Sequence, residues 1–148
     1  MTKRNISEIE GICFPVIPDH VKRIFKKKNI LFPKISVHNV LPLYCRVGQK
    51  FFFYESHLNK KIVGEGVIKE IKLLNYDLFL LRIKESFITV DEFNNYVNNR
   101  LNKKIMAFKI SNLIFYDNPF TLRYYITMGG RYITKKEYAN WKKKYCGV

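Results

Sequence analysis

Three side chains of one predicted hairpin have the chemistry of a general acid and base. Glu55 and His57 stand at the end of an aromatic strand, and Glu65 lies on the strand that should follow it. A carboxylate beside an imidazole can pass a proton to or from a substrate near neutral pH. Ordinary polar residues on a hairpin rim would show the same pattern. A small hydrolase or nuclease acting on nucleotides or RNA is therefore an alternative expectation and not the first one.

Longer enzyme signatures and metal-binding motifs are missing from the sequence. Gly64-Glu65-Gly66 lacks the third glycine of a dinucleotide fingerprint, and no Walker A or Gly-x-Ser-x-Gly segment occurs. The histidines and cysteines are scattered and do not have the spacing of metal ligands. They are His20, His38, His57, Cys13, Cys45 and Cys146. We therefore expect no metal and no other cofactor.

The charge balance is the strongest indication of a partner. Lys and Arg number 27 against 12 Asp and Glu, which gives a formal net charge of +15 and a sequence pI near 9.8. A folded domain with so large an excess repels itself unless an anion balances the charge. Each lysine run taken alone would be an ordinary solvated face, but the total favours nucleic acid as the partner.

Length and composition favour a single folded domain over residues 1–148. The chain is 47% hydrophobic and 16% aromatic, which is enough for a core. No stretch is long and apolar enough to cross a membrane, and no signal peptide is apparent. The odd number of widely separated cysteines favours a reducing compartment. We expect a cytoplasmic protein with no membrane partner.

Hydrophobic periodicity and turn residues predict the elements that position these side chains. The predicted strands are Gly11–Pro18, Lys50–Ser56, Lys61–Leu74, Lys104–Leu113, Arg123–Thr127 and Arg131–Ile133, and Lys34–Val40 is either an extended connection or an edge strand. The predicted helices are His20–Lys28 capped by Asp19, one from the capping box Thr89–Glu92 to Asn102, and one after a second box at Thr134–Glu137. Between Asn75 and Glu85 the pattern fits a short helix or a strand, and we expect the helix. This pattern indicates an α+β domain.

The aromatic strand has two faces with different expected roles. Successive side chains of a strand point to opposite sides, so Phe51 and Phe53 cannot share a surface with Phe52 and Tyr54. One pair should lie in the core. The other pair, if it lines a groove, could stack unpaired bases of a single-stranded nucleic acid.

The hairpin as a whole resembles the central hairpin of PUA-like domains, particularly their ASCH and EVE branches. The resemblance rests on Val47-Gly48-Gln49 leading into the aromatic strand, and on Gly64-Glu65-Gly66-Val67-Ile68 in the next strand. The whole chain is similar to an uncharacterised archaeal family placed in that group, including the segment Met128-Gly129-Gly130-Arg131-Tyr132.

The resemblance implies a PUA-like pseudo-barrel of about five or six mixed strands with peripheral α-helices. It also implies RNA binding and, in EVE-like relatives, capture of a modified base in an aromatic pocket; some ASCH proteins are hydrolases or nucleases. By position, the implied pocket residues are Tyr54, Ser56, Gly64, Gly66, Gly129, Gly130 and Tyr132, with Glu55, His57 and Glu65 as the alternative catalytic residues. Trp141 lies on the last helix, so the tryptophan cage of the base readers has no match here.

The sequence thus predicts a protein that binds RNA rather than DNA, such as tRNA, rRNA or another structured or modified RNA. The side chains expected to contact phosphates are Lys22, Arg23, Lys26, Lys27, Arg100, Lys104 and Arg131. Tyr54 and Tyr132 should face a base, and Arg131 is the first choice among the cations because two glycines precede it. A protein-interaction module within a ribonucleoprotein is a further alternative.

Overall fold

A curved six-stranded sheet carries the residues singled out above. The computed structural model describes residues 5–57 and 59–145, and Cys146 lies outside them. The strands are β1 (Ile9–Val16), β2 (Asn29–Ser36), β3 (Lys50–Glu55), β4 (Lys61–Leu74), β5 (Lys104–Thr121) and β6 (Arg131–Thr134). The helices are α1 (Pro18–Ile24), α2 (Tyr76–Leu81), α3 (Val90–Val97) and α4 (Lys135–Tyr145), with short 3-10 turns at Ile6–Glu8 and Ile83–Glu85. The predicted α+β class is confirmed.

The sheet curls until its two flanks face each other. The strand order is β2-β5-β4-β3-β1-β6, with β1 parallel to β3 and the other neighbours antiparallel. Register shifts between β3 and β4 and between β4 and β5 bend the strands. Phe14 of β1 and Phe32 of β2 are 6.1 Å apart by ring centroid, although three strands separate β1 from β2. The sheet is therefore a pseudo-barrel that stays open between β1 and β2, a gap we call the seam.

Strand alternation sends side chains to the inside and the outside of the curled sheet, and each side has its own core. Inside lies the barrel core, whose largest rings are Phe14, Phe32, Phe51, Phe53 and Phe108. Outside, Trp141 of α4 packs with Cys13, Phe52, Tyr54 and Ile133. Also outside, Phe79 of α2 and Phe93 of α3 pack in one cluster with Leu31 and Ile105.

Both faces of the aromatic strand are consequently buried. Phe51 and Phe53 lie in the barrel core and Phe52 and Tyr54 lie under α4, all with 3% or less of their surface exposed. The idea that one face lines a groove for bases is wrong, because α4 packs on the side that the sequence left open. Trp141 of α4 fills this space with its ring 5.3 Å from Phe52.

Most predicted elements are confirmed, but the bounds of three are corrected. The strand predicted at Lys34–Val40 is β2 at Asn29–Ser36, the helix predicted to end at Asn102 ends at Val97, and the strand predicted to end at Leu113 runs to Thr121. Two further details also differ. Asp19 does not cap α1, because Pro18 occupies the first helical turn and the cap position falls on Ile17. Residues 123–127 do not form a strand. In that segment the Tyr124 hydroxyl donates to Glu137 at 2.7 Å, and the chain then makes a turn before β6 begins opposite Cys13.

Close packing at Gly64 provides a test of the curled sheet. A Cβ at this position would lie 2.5 Å from the Phe25 ring and 2.4 Å from the Ile114 carbonyl oxygen. The Gly64→Ala variant should therefore lose about 1–3 kcal/mol of unfolding free energy, measured by urea denaturation. Gly129→Ala is the matched control, since its Cβ would meet nothing nearer than the Thr127 hydroxyl at 3.8 Å. Equal midpoints for both variants would contradict the packing.

Candidate nucleic-acid interface

A cavity of about 470 Å³ opens along the seam. The flanks contribute Phe14–Ile17 from β1 and its end, and Phe32–Lys34 from β2. The remaining walls come from helices and turns, namely His20, Ser56, His57, Phe87, Ile88, Glu92, Tyr96, Ile126, Thr127 and Met128. We call this cavity the seam pocket. Its walls are largely apolar, include the rings Phe14, Phe32 and Phe87, and leave it open to the surface.

Lys34 supplies the cationic group of the seam pocket. Ile30, Phe32 and Lys34 alternate along β2, so the alternation that buries Ile30 and Phe32 in the barrel core also directs Lys34 inward. Its Nζ lies 5.5 Å from the Phe14 ring centroid, over the face of the ring.

The Lys34 ammonium makes no hydrogen bond or ion pair with any residue that the structure describes. Burial lowers the pKa of Lys34, and the positive charge of Arg100 lowers it further. A half-buried ammonium with an aromatic ring as its neighbour and no carboxylate beside it is suited to receive an anion or a carbonyl oxygen from outside.

Glu92 forms the opposite, acidic wall. Its carboxylate accepts from Arg23 at 2.5 Å and contacts Nε2 of His20 at 3.0 Å, which ties α3 to α1. It also accepts the Thr89 backbone N–H at 2.9 Å and completes the predicted capping box. Burial alone would raise the pKa of Glu92, but the hydrogen bonds from Thr89, Arg23 and His20 hold the pKa at about 2. The Glu92 carboxylate is therefore occupied by these three partners and does not neutralise the charge of Lys34.

His57 lies at the pocket edge on a left-handed backbone. Its φ is 70°, an uncommon conformation for a residue with a side chain. Just before it, Ser56 is fixed to the end of β1, because its N–H and its hydroxyl both donate to the Val16 carbonyl, at 2.9 and 3.2 Å. The structure thus places the predicted residues Ser56 and His57 at the seam pocket.

The other residues predicted for a pocket lie elsewhere. Tyr54 is buried under α4. Gly64 and Gly66 leave room for Phe25 and Ile110 inside the barrel, so their role is close packing. Tyr132 contacts the ring of Tyr44 and accepts the Tyr44 backbone N–H at 3.1 Å.

Gly129 and Gly130 belong to the turn beside the pocket. That turn is closed by the Gly130 N–H, which donates to the Thr127 carbonyl at 2.9 Å. Gly130 also has a φ of 77°, and a Cβ there would lie 2.4 Å from the Phe14 ring. The two glycines therefore shape the wall that Thr127 and Met128 form, without lining it themselves.

The three alternative catalytic residues are not brought together. Glu65 is buried on the α4 side, where it accepts from Lys50 Nζ at 2.6 Å, the Tyr116 hydroxyl at 2.7 Å and the Tyr138 hydroxyl at 3.0 Å. Glu55 is also buried, and its carboxylate contacts Asn59. Of the three, His57 alone lines the seam pocket, since Glu65 serves as the ion-pair and hydrogen-bond centre of the α4 side.

Six of the seven predicted phosphate contacts fall into two regions. Lys22, Lys26 and Lys27 are exposed on or just after α1, while Arg23 is bound to Glu92. Arg100 lies over the Tyr96 ring at 5.6 Å and donates to the Tyr96 carbonyl at 2.5 Å, and Lys104 is exposed at the start of β5.

Arg131 points to the face of the sheet opposite the seam pocket. It pairs with Cys13, whose side chain lies under α4, and its guanidinium stacks on the Tyr124 ring at 4.0 Å. Glu137 lies 3.7 Å from the same guanidinium. The strand register therefore separates Arg131 from the seam pocket.

The sequence reasoning missed Lys34, Phe87, Glu92 and Tyr96 as pocket residues. For Lys34 a signal existed, because it follows Ile30 and Phe32 at a spacing of two. The other three come from a helix and its entry, which the sequence does not place over the seam.

The described part of the chain shows neither a metal site nor a membrane-spanning helix. No group of three or more His, Cys, Asp or Glu side chains is arranged to hold a metal ion there. Within the same residues, no helix combines the length and the apolar character needed to cross a membrane.

Comparison with known proteins assigns the family. The model described as "Domain of unknown function (DUF365)" matches residues 9–135. The chain belongs to the DUF365 family. A search of curated proteins gives no match to this DUF365 chain.

Solved structures similar to this DUF365 chain are ASCH proteins. The crystal structure of ASCH from Zymomonas mobilis superposes with a TM-score of 0.77 at 14% identity, covering 92% of this chain and 96% of that chain. A tyrosine-to-phenylalanine mutant of that protein gives the same TM-score and identity, over 92% and 99% of the two chains. A serine-to-alanine mutant does so over 93% and 98%. The predicted PUA-like pseudo-barrel is confirmed as an ASCH fold.

The acidic wall gives a pH-dependent prediction. Because the folded pKa of Glu92 is about 2 against a usual 4.5, its ionised form stabilises the fold above pH 4.5, and this contribution is lost as the pH falls toward 2. Glu92→Gln should cost about 1–2 kcal/mol of unfolding free energy at pH 7, with the difference shrinking over that range. Urea denaturation at several pH values measures it, with Asp91→Asn on the same turn as control. A difference that does not vary with pH would contradict the role of the charge.

Proposed function

We propose that this DUF365 protein binds structured RNA and holds one unpaired nucleotide in the seam pocket. The observation that carries the proposal is the Lys34 ammonium, which stands in a pocket that opens to the surface and which forms no ion pair with any carboxylate of the described residues. A pocket of about 470 Å³ lies within the range used for small-molecule and nucleotide-sized groups.

The pocket walls suit a base and its negatively charged surroundings. Phe14 and Phe87 are 2% and 6% exposed and give a base an apolar floor rather than free ring faces, and Lys34 can bind a phosphate oxygen or a base carbonyl. Met128 and Ile17 are exposed at the edge and can contact the sugar or a neighbouring base. Unpaired bases of this kind are presented mainly by loops and bulges of RNA, which favours RNA over DNA as the partner.

Cations around the pocket supply the phosphate contacts. Arg100 lies close enough to Lys34 to lower its pKa, and Lys104 is exposed on the strand paired with β2. On the other side, Lys22, Lys26 and Lys27 extend from α1, which also contributes His20 to the pocket wall. With a net charge of +15, these groups favour a salt-dependent interaction with a polyanion in the cytoplasm.

Arg131 is a second point of contact in this proposal. Its guanidinium is held flat against Tyr124, and its side chain is 43% exposed. A phosphate bound there would lie on the opposite face of the sheet from the seam pocket. Only an RNA that wraps around the domain would engage both places, which agrees with a structured RNA such as tRNA or rRNA.

Substitution of Lys34 tests the proposal. Lys34→Met should weaken binding of an RNA hairpin with an unpaired loop about tenfold, because one charge-assisted contact is lost. Lys69→Met removes the same charge from an exposed position on β4 and should change affinity less than threefold. Fluorescence anisotropy over a salt series measures both variants, with a fully paired RNA duplex of equal length as the comparison ligand. Equal losses for the two variants would mean that only the overall charge matters and would overturn the pocket.

Hydrolysis of RNA or a nucleotide is a second candidate, favoured by one observation. His57 is held in a left-handed conformation at the pocket edge, and such conformations concentrate at functional sites. If His57 acts as acid or base, cleavage of an end-labelled RNA by the wild-type protein should fall at least a hundredfold in His57→Asn while RNA affinity persists. Absence of cleavage by the wild-type protein, or equal cleavage by both, would count against this candidate.

A further inference from the structure

The loop that joins β2 to β3 displays an unusual run of aliphatic side chains. Residues 37–47 of this β2–β3 loop include five aliphatic side chains that are 44–72% exposed. They are Val37, Val40, Leu41, Leu43 and Val47. Isolated exposed aliphatic residues are normal, but a cluster on one segment marks an interaction surface.

Hydrogen bonds give this loop a defined conformation. The Ser36 hydroxyl donates to the Val40 carbonyl at 2.8 Å and accepts the Val40 N–H at 2.9 Å. Lys103 Nζ donates to the Val37 carbonyl at 2.9 Å, and the Lys104 N–H donates to Asn39 at 2.7 Å. The hydrogen-bonded backbone therefore keeps the aliphatic side chains exposed to solvent, and they do not pack into the core.

The far end of the loop is anchored as well. The Tyr44 N–H donates to the Tyr132 hydroxyl at 3.1 Å, and the Cys45 side chain is buried. Leu43, the most exposed of the five at 72%, lies directly before this anchor. An ordered display of this kind lowers the entropy that a partner would otherwise have to overcome on binding.

The charge around the loop has one sign. No Asp or Glu occurs between residues 20 and 54, which include the loop, or between residues 93 and 116, which include its contacts Lys103 and Lys104. Arg46 within the loop and Lys104 beside it are both exposed. The surface thus has an aliphatic centre and a cationic edge.

These features select among the possible occupants. Valine and leucine side chains cannot stack on bases, so the loop is unsuited to RNA, whose interfaces are polar and aromatic. A second copy of this chain would bring its own cationic edge into contact with the first, which like charges oppose. The loop presents no exposed tryptophan or phenylalanine of the kind that anchors proteins at a lipid interface.

We propose that the β2–β3 loop docks a protein partner whose surface has an apolar centre bordered by carboxylates. The aliphatic groups would be buried on association, and the cations at the edge would orient the partner and speed the encounter. Because Lys104 borders both the loop and the proposed RNA path, the docked partner and RNA would adjoin each other. The proposal rests on the loop and does not require the proposed RNA pocket.

Defined peptides test this surface. The probe is an 18-residue helical peptide with leucine on one face and glutamate on the other, compared by anisotropy with a version carrying lysine and with a scrambled Glu/Leu sequence. The wild-type protein should bind the acidic amphipathic peptide at least tenfold more tightly than either comparison peptide. The Val40→Ser, Leu43→Ser double variant should lose about tenfold in affinity, while Leu81→Ser, altered at an 82% exposed position on α2, should not.

Several outcomes would overturn the proposal. Equal affinity of the double variant and the wild-type protein, or equal binding of the scrambled peptide, would show that only net charge is sensed. A wild-type dimer in sedimentation that the double variant abolishes would identify a second copy as the occupant. Binding to anionic lipid vesicles that the double variant abolishes would identify a lipid surface. RNA affinity of the double variant, which should remain unchanged, separates this result from that of Lys34→Met.

Discussion

Side-chain stacking, and not a backbone ladder, joins the two flanks of the curled sheet. β2 pairs with β5 alone and β1 pairs with β3 and β6, so the contact across the seam is made by Phe14 and Phe32. Phe51 lies 5.6 Å from the first ring and 4.7 Å from the second and links them from the sheet floor. These rings fill the inner part of the seam, and no strand lies between β1 and β2 in its outer part. A cavity whose walls include aromatic rings therefore follows from the fold itself.

Helices α1 and α3 form a further wall of that cavity, and contacts between charged and polar side chains hold the two helices together. Arg23 and His20 on one helix meet Glu92 on the other, and Glu92 at the same time caps its own helix. One carboxylate therefore sets both where α3 begins and how far it stands from α1. Since Glu92 has three partners of its own, the positive charge of Lys34 remains available to a ligand.

The elements were largely predictable from the sequence, whereas the assignment of side chains to a common site was not. The capping box at Thr89 and the full extent of Lys61–Leu74 depend on local chemistry, and the structure has both. Tyr54 and Arg131 were misplaced because their roles depend on which face of the sheet α4 covers, a long-range contact without a local signal. Lys34 looks like any solvated lysine until the curl of the sheet turns its strand face inward.

Pro15 and Pro33 stand on opposite flanks of the seam. Both affect whether the flanks can pair through their backbones. The Val16 carbonyl bonds to Ser56 on the β3 side, so the adjacent Pro15 nitrogen faces the seam. On β2 the Ile35 N–H bonds to Tyr96 and away from β5, and Pro33, two residues before, has the same orientation. Each flank thus lacks an N–H where a ladder would need one. The N–H groups that Pro15 and Pro33 lack disfavour a backbone ladder between β1 and β2. A ligand that entered between β1 and β2 would break no backbone ladder, because the two strands are not paired with each other.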